Sequence, residues 1–328
     1  MPKTKTPMKI LANDGISPSG KKALEENGFE VITDKVEQDD LVNYINEHKV
    51  VALLVRSATT VRKALIDACP ELKLIGRGGV GMDNIDVDYA RSKGLTVINT
   101  PAASSQSVAE LVFAHLFGAV RFLYDANRQM PGNGAQEFKV LKKKYAKGLE
   151  LRGKTMGIIG FGRIGQSVAQ YALGIGMHVL FFDRSKSAVD VTVEVPQAGG
   201  ITVTLNSSSM EEVLRKSDFI SLHIPAQEDG SAVIRANEFN MMKDGAVLVN
   251  AARGGVIDEQ ALIEALNSGK LAHAALDVFE NEPKPDASVL VHEKISLTPH
   301  IGAATVEAQD RIGTELAEKI TASLSVTA

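Results

Sequence analysis

The sequence predicts an α/β protein built from two doubly wound parallel sheets, one domain being inserted in the other. Three observations predict it. Short β-branched runs recur with helical patterns between them. One glycine-rich turn joins a strand to a helix in the second half. Thr100-Pro101 and Thr298-Pro299 each break the pattern between a strand and a helix, as paired crossings between two domains would. The length of 328 residues fits two domains at roughly 150 residues each. Residues 1–101 and 299–328 are expected to form one domain, and 102–298 the other.

In the first half the strand runs are Ile10–Ala12, Glu30–Ile32, Val50–Val55, Leu72–Ile75 and Thr96–Ile98. Stretches such as Ser17–Asn27 and Arg62–Ala68 separate them as crossover helices, and Cys69-Pro70 marks a helix end. A long helix starts at Ser104 or Ser105, either of which could cap it, and runs toward Arg128. The basic, glycine-bearing stretch Lys139–Lys154 reads as its link to the next strand. The second series comprises Thr155–Ile159, His178–Phe182, Phe219–Ile224, Ala246–Asn250, Ala274–Val278 and Ile295–Leu297. Six strands with helices between them make a sheet of the dinucleotide-binding kind. A last helix, Thr305–Ala322, is expected to return to the first domain.

Composition narrows the function classes. Lys plus Arg is 36 against 40 Asp plus Glu, a net charge of −4, where a duplex-binding protein would carry a basic bias. The single cysteine, Cys69, cannot bridge within the chain, fits a reducing compartment and has no activating neighbour. MPKTKTPMKI holds basic residues but no apolar core, so no signal peptide is expected and a cytoplasmic location follows. Leu111–Val120 is too short to span a bilayer, which takes about 20 residues, and reads as a buried helix.

Gly160-Phe161-Gly162-Arg163-Ile164-Gly165 fits G-x-G-x-x-G, and its context is right: strand before, apolar helix after, next strand ending at Asp183. Gly160 permits the tight turn, Gly162 lets backbone approach a pyrophosphate, and Gly165 lets helix pack on strand. The N–H groups around Arg163 and Ile164 and the positive helix end then face the phosphates. Asp183 would accept both hydroxyls of an unphosphorylated adenosine ribose and repel a 2′-phosphate. NAD is therefore favoured over NADP, a preference that Arg184 tempers.

The run 157–165, with Asn250-Ala251-Ala252-Arg253-Gly254-Gly255, Ala275-Leu276-Asp277-Val278-Phe279-Glu280-Asn281-Glu282-Pro283 and Thr298-Pro299-His300-Ile301-Gly302-Ala303, resembles the D-2-hydroxyacid dehydrogenases over nearly the whole chain. Val55–Thr59 and Gly76–Asn84 narrow the resemblance to the phosphoglycerate-oxidising branch. The fold implied is a Rossmann NAD-binding domain inserted in a flavodoxin-like substrate domain. The activity implied is NAD-dependent oxidation of D-3-phosphoglycerate to 3-phosphohydroxypyruvate, the opening step of serine biosynthesis. A glyoxylate or hydroxypyruvate reductase shares the catalytic positions, and an NAD(H)-sensing corepressor-like protein shares the fold.

Oxidising a secondary alcohol needs a base near neutral pH on the hydroxyl, and His300, just past a strand end, is the candidate. By resemblance Glu282 is the carboxylate that stabilises its protonated form, in preference to Glu280. Arg253 supplies the planar cation that grips the substrate carboxylate and polarises the C2 oxygen. The resemblance gives Asp277 the nicotinamide carboxamide, and lines the cofactor pocket with His223, Ile224, Pro225, Ala251 and Gly302. Substrate selection falls to the first domain. Arg56 and Ser57 suit a phosphate clamp, Val80 and Gly81 offer N–H groups to the carboxylate, and Arg77 adds charge. The family's linker often carries Trp and Arg, whereas this chain has no Trp and offers Lys142-Lys143-Lys144, which could reach a neighbouring subunit's phosphate site. A homodimer built on the cofactor domain is implied. With Ala328 as the last residue, no separate regulatory domain is expected.

Overall fold

The computed structural model describes residues 7–325. The stretch read above for a missing signal peptide lies mostly outside the described residues. The chain divides into two compact units, 1–105 with 303–328, and 106–302. The crossings therefore fall four residues later than 101 and 298, because the segments 102–105 and 299–302 stay with the strand that precedes each of them.

The first unit contains β1 (Met8–Ala12), α1 (Pro18–Glu26), β2 (Phe29–Ile32), α2 (Leu41–His48), β3 (Val50–Val55), α3 (Lys63–Ala68), β4 (Leu74–Arg77), α4 (Val87–Ser92), β5 (Thr96–Asn99) and the returning α12 (Val306–Ser325). Its sheet runs β2-β1-β3-β4-β5, all parallel, the flavodoxin-like order. β4 starts two residues later than its apolar run suggests, since Leu72 packs into the core from the turn before it. Ser17 caps α1 by accepting from the Gly20 N–H at 3.2 Å, with Pro18 in the first turn. α12 crosses α1 at a pair of glycines. A Cβ on Gly20 would meet the Gly313 backbone at 2.6 Å, so only glycine allows that approach. Ile312, Leu316, Ala317, Ile320 and Leu324 of α12 thereby close one side of the core.

The second unit starts with α5 (Ser105–Val120) and α6 (Leu123–Lys144). The single long helix expected here is two, bent by 57°. Phe122 adopts a left-handed backbone, φ 55°, and ends the first helix. α6 then runs through Pro131 to Lys144, so the basic link is helical for its first third. The remaining elements are β6 (Thr155–Ile159), α7 (Arg163–Gly174), β7 (His178–Phe182), β8 (Ala188–Val195), β9 (Gly199–Asn206), α8 (Met210–Lys216), β10 (Phe219–Leu222), α9 (Ala236–Met241), β11 (Ala246–Asn250), α10 (Glu259–Asn267), β12 (Leu271–Leu276), α11 (Ala287–Leu290) and β13 (Ile295–Leu297).

All six expected strands enter one parallel sheet, ordered β13-β12-β11-β10-β6-β7. Two of them end sooner than read: β10 at Leu222 and β12 at Leu276. The segment after β7 differs more. It is an antiparallel ribbon, β8 with β9, rather than a crossover helix. The alternation Val189, Val191, Val193 against polar neighbours is a period-2 pattern that the sequence reading passed over. Val112, Leu116 and Ala119 of α5 are buried against the sheet, so Leu111–Val120 lies in a helix whose inner face is core. Among the described residues no single helix is long and apolar enough to cross a membrane.

Candidate active site

Strand order reverses between β6 and β10, the position where open sheets bind ligands beyond their carboxyl ends. The glycine turn lies there. Gly160, at φ 92°, sits so close to the His223 carbonyl that a Cβ would collide with it, and a Cβ on Gly165 would strike the Gly160 carbonyl. Gly162 differs: its Cβ position has nothing within 4 Å. No side chain caps α7 at Gly162, so its first N–H groups are left for an anion. Packed on one side and open on the other, this turn fits a dinucleotide pyrophosphate.

Asp183 at the end of β7 accepts from the Phe161 N–H at 2.8 Å and from the Ser185 N–H and hydroxyl at 2.9 and 2.8 Å. Burial pushes its pKa up, yet the bonds from Ser185 and Phe161 and the nearby Lys186 hold it below the usual carboxylate value. It stays ionised beside the turn. Arg163 and Pro225 are exposed, Ile164 and Ile224 half-buried, and Ala251 buried. His223 is half-buried, with its ring Nδ1 covered and its Nε2 within 2.8 Å of the Ser221 hydroxyl. Burial drives its pKa to about 3, which fixes it as neutral and suits a wall better than a proton carrier.

The structure joins two of the three catalytic candidates directly. Nδ1 of His300 lies 2.8 Å from Oε2 of Glu282, whose other oxygen accepts from the Phe279 N–H at 3.0 Å. Both side chains are partly exposed, at 43% and 36%. His300 holds a left-handed backbone, φ 55°, uncommon for a residue with a Cβ and characteristic of functional turns. Arg253 follows β11 on a turn tied by Asn250, whose Nδ2 donates to the Arg253 carbonyl at 2.9 Å and whose Oδ1 accepts from the Ala252 N–H at 3.0 Å. Gly254 packs that turn on the loop after β12, where any Cβ would collide with the Phe279 carbonyl. Glu259 and Glu280 lock the same two loops reciprocally: each carboxylate accepts from the other's backbone N–H, at 3.2 and 2.9 Å. Glu280 is thus a brace rather than a free loop acid. Burial raises the pKa of Glu259.

Asp277 directly follows β12. It is 2% exposed, and its oxygens accept from the Thr298 hydroxyl at 2.6 Å and from the Ile301 and Gly302 N–H groups at 2.8 Å each. An unpartnered buried carboxylate would be costly, and this one is partnered by the His300 loop, with a lone pair left for one further donor.

In the first unit the corresponding switch point lies between β1 and β3. Asp14, buried there, accepts from the Arg56 N–H at 2.6 Å and from the Thr59 N–H at 3.0 Å. Asn84 Nδ2 donates to the Arg56 and Thr59 carbonyls. Arg56 is half-buried and Ser57 exposed at this turn. Asn99 donates to the Val80 carbonyl at 2.7 Å and holds the turn that carries Val80 and Gly81. Arg77 folds its guanidinium over Gly79, where a Cβ would collide with it. Sequence reading missed Asp14, Asn84, Asn250 and Glu259. Asp14 follows β1, Asn84 lies in the loop after β4, Asn250 ends β11 and Glu259 opens α10, so no shared pattern marks them.

Residues 113–302 match the family model described as the D-isomer specific 2-hydroxyacid dehydrogenase, NAD binding domain. The chain belongs to that family, and is an NAD-dependent 2-hydroxyacid dehydrogenase. It is 42% identical to a hydroxypyruvate reductase of Thermotoga maritima, over 97% of this chain and 99% of the relative. It is 40% identical to a D-3-phosphoglycerate dehydrogenase of Methanocaldococcus jannaschii, over 95% of this chain but 57% of that longer protein. A solved NADPH-dependent glyoxylate/hydroxypyruvate reductase of Sinorhizobium meliloti, in complex with NADP and malonate, aligns with TM-score 0.78 at 26% identity, covering 97% of this chain and 94% of its own.

Proposed function

We propose that the enzyme interconverts D-3-phosphoglycerate and 3-phosphohydroxypyruvate, the reaction that opens serine biosynthesis, with the cytoplasm as its expected location. The observation that carries the chemistry is the 2.8 Å pair of His300 and Glu282 on a left-handed loop at the sheet's carboxyl edge. His300 takes the hydroxyl proton during oxidation and returns it during reduction. Glu282 stabilises the imidazolium formed between those steps. Arg253 binds the substrate carboxylate and draws charge toward the C2 oxygen. Bound along the glycine turn, NAD supplies the hydride acceptor. Gly160, Gly162, Arg163, Ile164 and Gly165 form its pyrophosphate cradle, Asp183 holds the ribose, and His223, Ile224, Pro225, Ala251 and Gly302 wall the pocket. Replacing Asp183 by alanine raises the kcat/KM ratio for NADP over NAD by roughly tenfold or more, as expected from removing a like charge facing the 2′-phosphate. Strict NADP use by the parent enzyme would refute the assignment.

The first unit selects the substrate. Arg56 and Ser57, held by Asp14 at the switch point, suit a phosphate, and Val80 and Gly81 suit a carboxylate. Arg77, folded on Gly79, adds its charge to the same group of loops. A second reading, hydroxypyruvate reductase, is favoured by the 42% identity to the Thermotoga maritima enzyme across nearly the full length of both chains. Initial rates separate them: NAD reduction with 3-phosphoglycerate beside glycerate, and NADH oxidation with hydroxypyruvate beside its phosphorylated form. Phosphoglycerate dehydrogenase activity predicts the higher kcat/KM for the phosphorylated partner of each pair. It also predicts that Arg56→Ala removes that preference, a charge-assisted bond to phosphate being worth about 1.5–3 kcal/mol. Equal rates on both members would favour the reductase, and no turnover would leave an NAD(H)-binding sensor.

The enzyme is further proposed to be a homodimer through the second unit. Phe117, Leu123, Met130, Phe138, Val140 and Leu149 are exposed along α5, α6 and the link to β6, an apolar surface that water does not favour. Lys142 and Lys143 are exposed on the same segment, free to meet a neighbouring subunit, while Lys144 pairs with Asp125 at 2.5 Å.

A further inference from the structure

His115, on α5, is fully buried, and the chemistry described above does not use it. Its ring is the start of a directed chain of hydrogen bonds that ends on the His300 loop. A threonine hydroxyl has one hydrogen, and a carboxylate can only accept. Thr298 therefore gives its hydrogen to Asp277 Oδ1, at 2.6 Å. What remains on Thr298 is an acceptor, 3.1 Å from His115 Nε2, so Nε2 carries the ring hydrogen. Nδ1 then accepts from the Ser296 hydroxyl at 3.0 Å, with the Tyr124 hydroxyl at 3.3 Å. Burial lowers the pKa of His115 and favours the neutral ring this arrangement needs, while the nearby Asp277 acts in the opposite direction.

Downstream, Asp277 gathers both flanks of the base. It holds Thr298 before His300 and the N–H groups of Ile301 and Gly302 after it. The left-handed backbone of His300 lies between those anchors. We propose that His115 is a positioning residue for the reaction: by fixing the Thr298 hydroxyl on Asp277, it sets the loop geometry that aims His300 at its substrate. This rests on His300 being the general base. His115 touches neither substrate nor cofactor, and its effect passes through Thr298.

The test compares the parent enzyme with His115→Leu, His115→Gln, Thr298→Val and the double variant His115→Leu/Thr298→Val. The readouts are kcat and KM with hydroxypyruvate or its phosphate and NADH, NADH affinity by fluorescence, and thermal melting. His115→Leu is expected to lower kcat by about tenfold, the scale of a small misplacement of a catalytic group, with NADH affinity unchanged. His115→Gln restores most of kcat, because its amide N–H can replace that of Nε2. Thr298→Val loses as much as His115→Leu, and the double variant loses no more than either one, as expected for members of one network. Parent kcat in His115→Leu, failure of glutamine to rescue, or multiplicative losses in the double variant would each overturn the proposal. If the leucine variant does not fold, parent kcat in Thr298→Val overturns it instead. His300→Ala separates the two levels: full turnover there refutes the base assignment, whereas its loss beside an unaffected His115→Leu refutes only the positioning role.

Discussion

Alanine at position 300 lowers kcat by about 10²–10⁴-fold, the usual contribution of a positioned general base, while NADH binding stays near that of the parent. The second half of that expectation follows from the geometry. The glycine turn, Asp183 and the uncapped start of α7 are built from other elements of the sheet edge, and none hydrogen-bonds the His300 side chain. Glutamine at position 282 should act in the same direction but more weakly. It keeps an acceptor for the Phe279 N–H and loses the charge that stabilises an imidazolium. Steady-state rates with fluorescence titration of NADH distinguish a lost base from a lost cofactor site, and retained turnover in His300→Ala would refute the assignment.

Gly254→Ala is expected to cost activity on the order of a hundredfold, although residue 254 has no chemistry of its own. The methyl group would occupy the space of the Phe279 carbonyl, and backbone cannot rotate aside as a side chain can. Either the turn carrying Arg253 retreats, or the loop carrying Glu282 does. Arg253 is the substrate's carboxylate ligand in our reading, so a retreat of the turn raises KM as well as lowering kcat. Alanine at Gly162, where nothing lies within 4 Å of the added carbon, is the matched control: the protein should fold as before, with weaker NADH binding. Parent kinetics in Gly254→Ala would show that the two loops are not held by this contact.

Both sheets were legible because buried parallel strands leave continuous apolar runs, and eleven such runs became eleven strands. Errors gathered where a different physical signal decides. α5 and α6 read as one helix because Phe122 looks compatible with a helix, and its left-handed turn depends on tertiary packing. The ribbon of β8 and β9 was missed because its period-2 pattern lies on a mostly exposed element with no continuous apolar run. The candidate base, its acid and the arginine were legible as motif residues. The groups that hold them were not, since the bonds of Asp277 to the His300 loop, the tie made by Asn250 and the brace made by Glu259 leave no pattern in the sequence. Only coordinates reveal which backbone N–H a carboxylate accepts from.

The return of α12 to the first unit constrains how the polypeptide matures on the ribosome. β1 to β5 are synthesised early, but the helix that seals one flank of their core follows only after the entire second unit. Until then Leu24, Leu54 and Leu74 lack the partners that Ile312, Leu316 and Ile320 later provide. The nascent N-terminal segment therefore carries sticky, unsealed surface while residues 106–302 emerge and fold, a period in which chaperone engagement has most to protect.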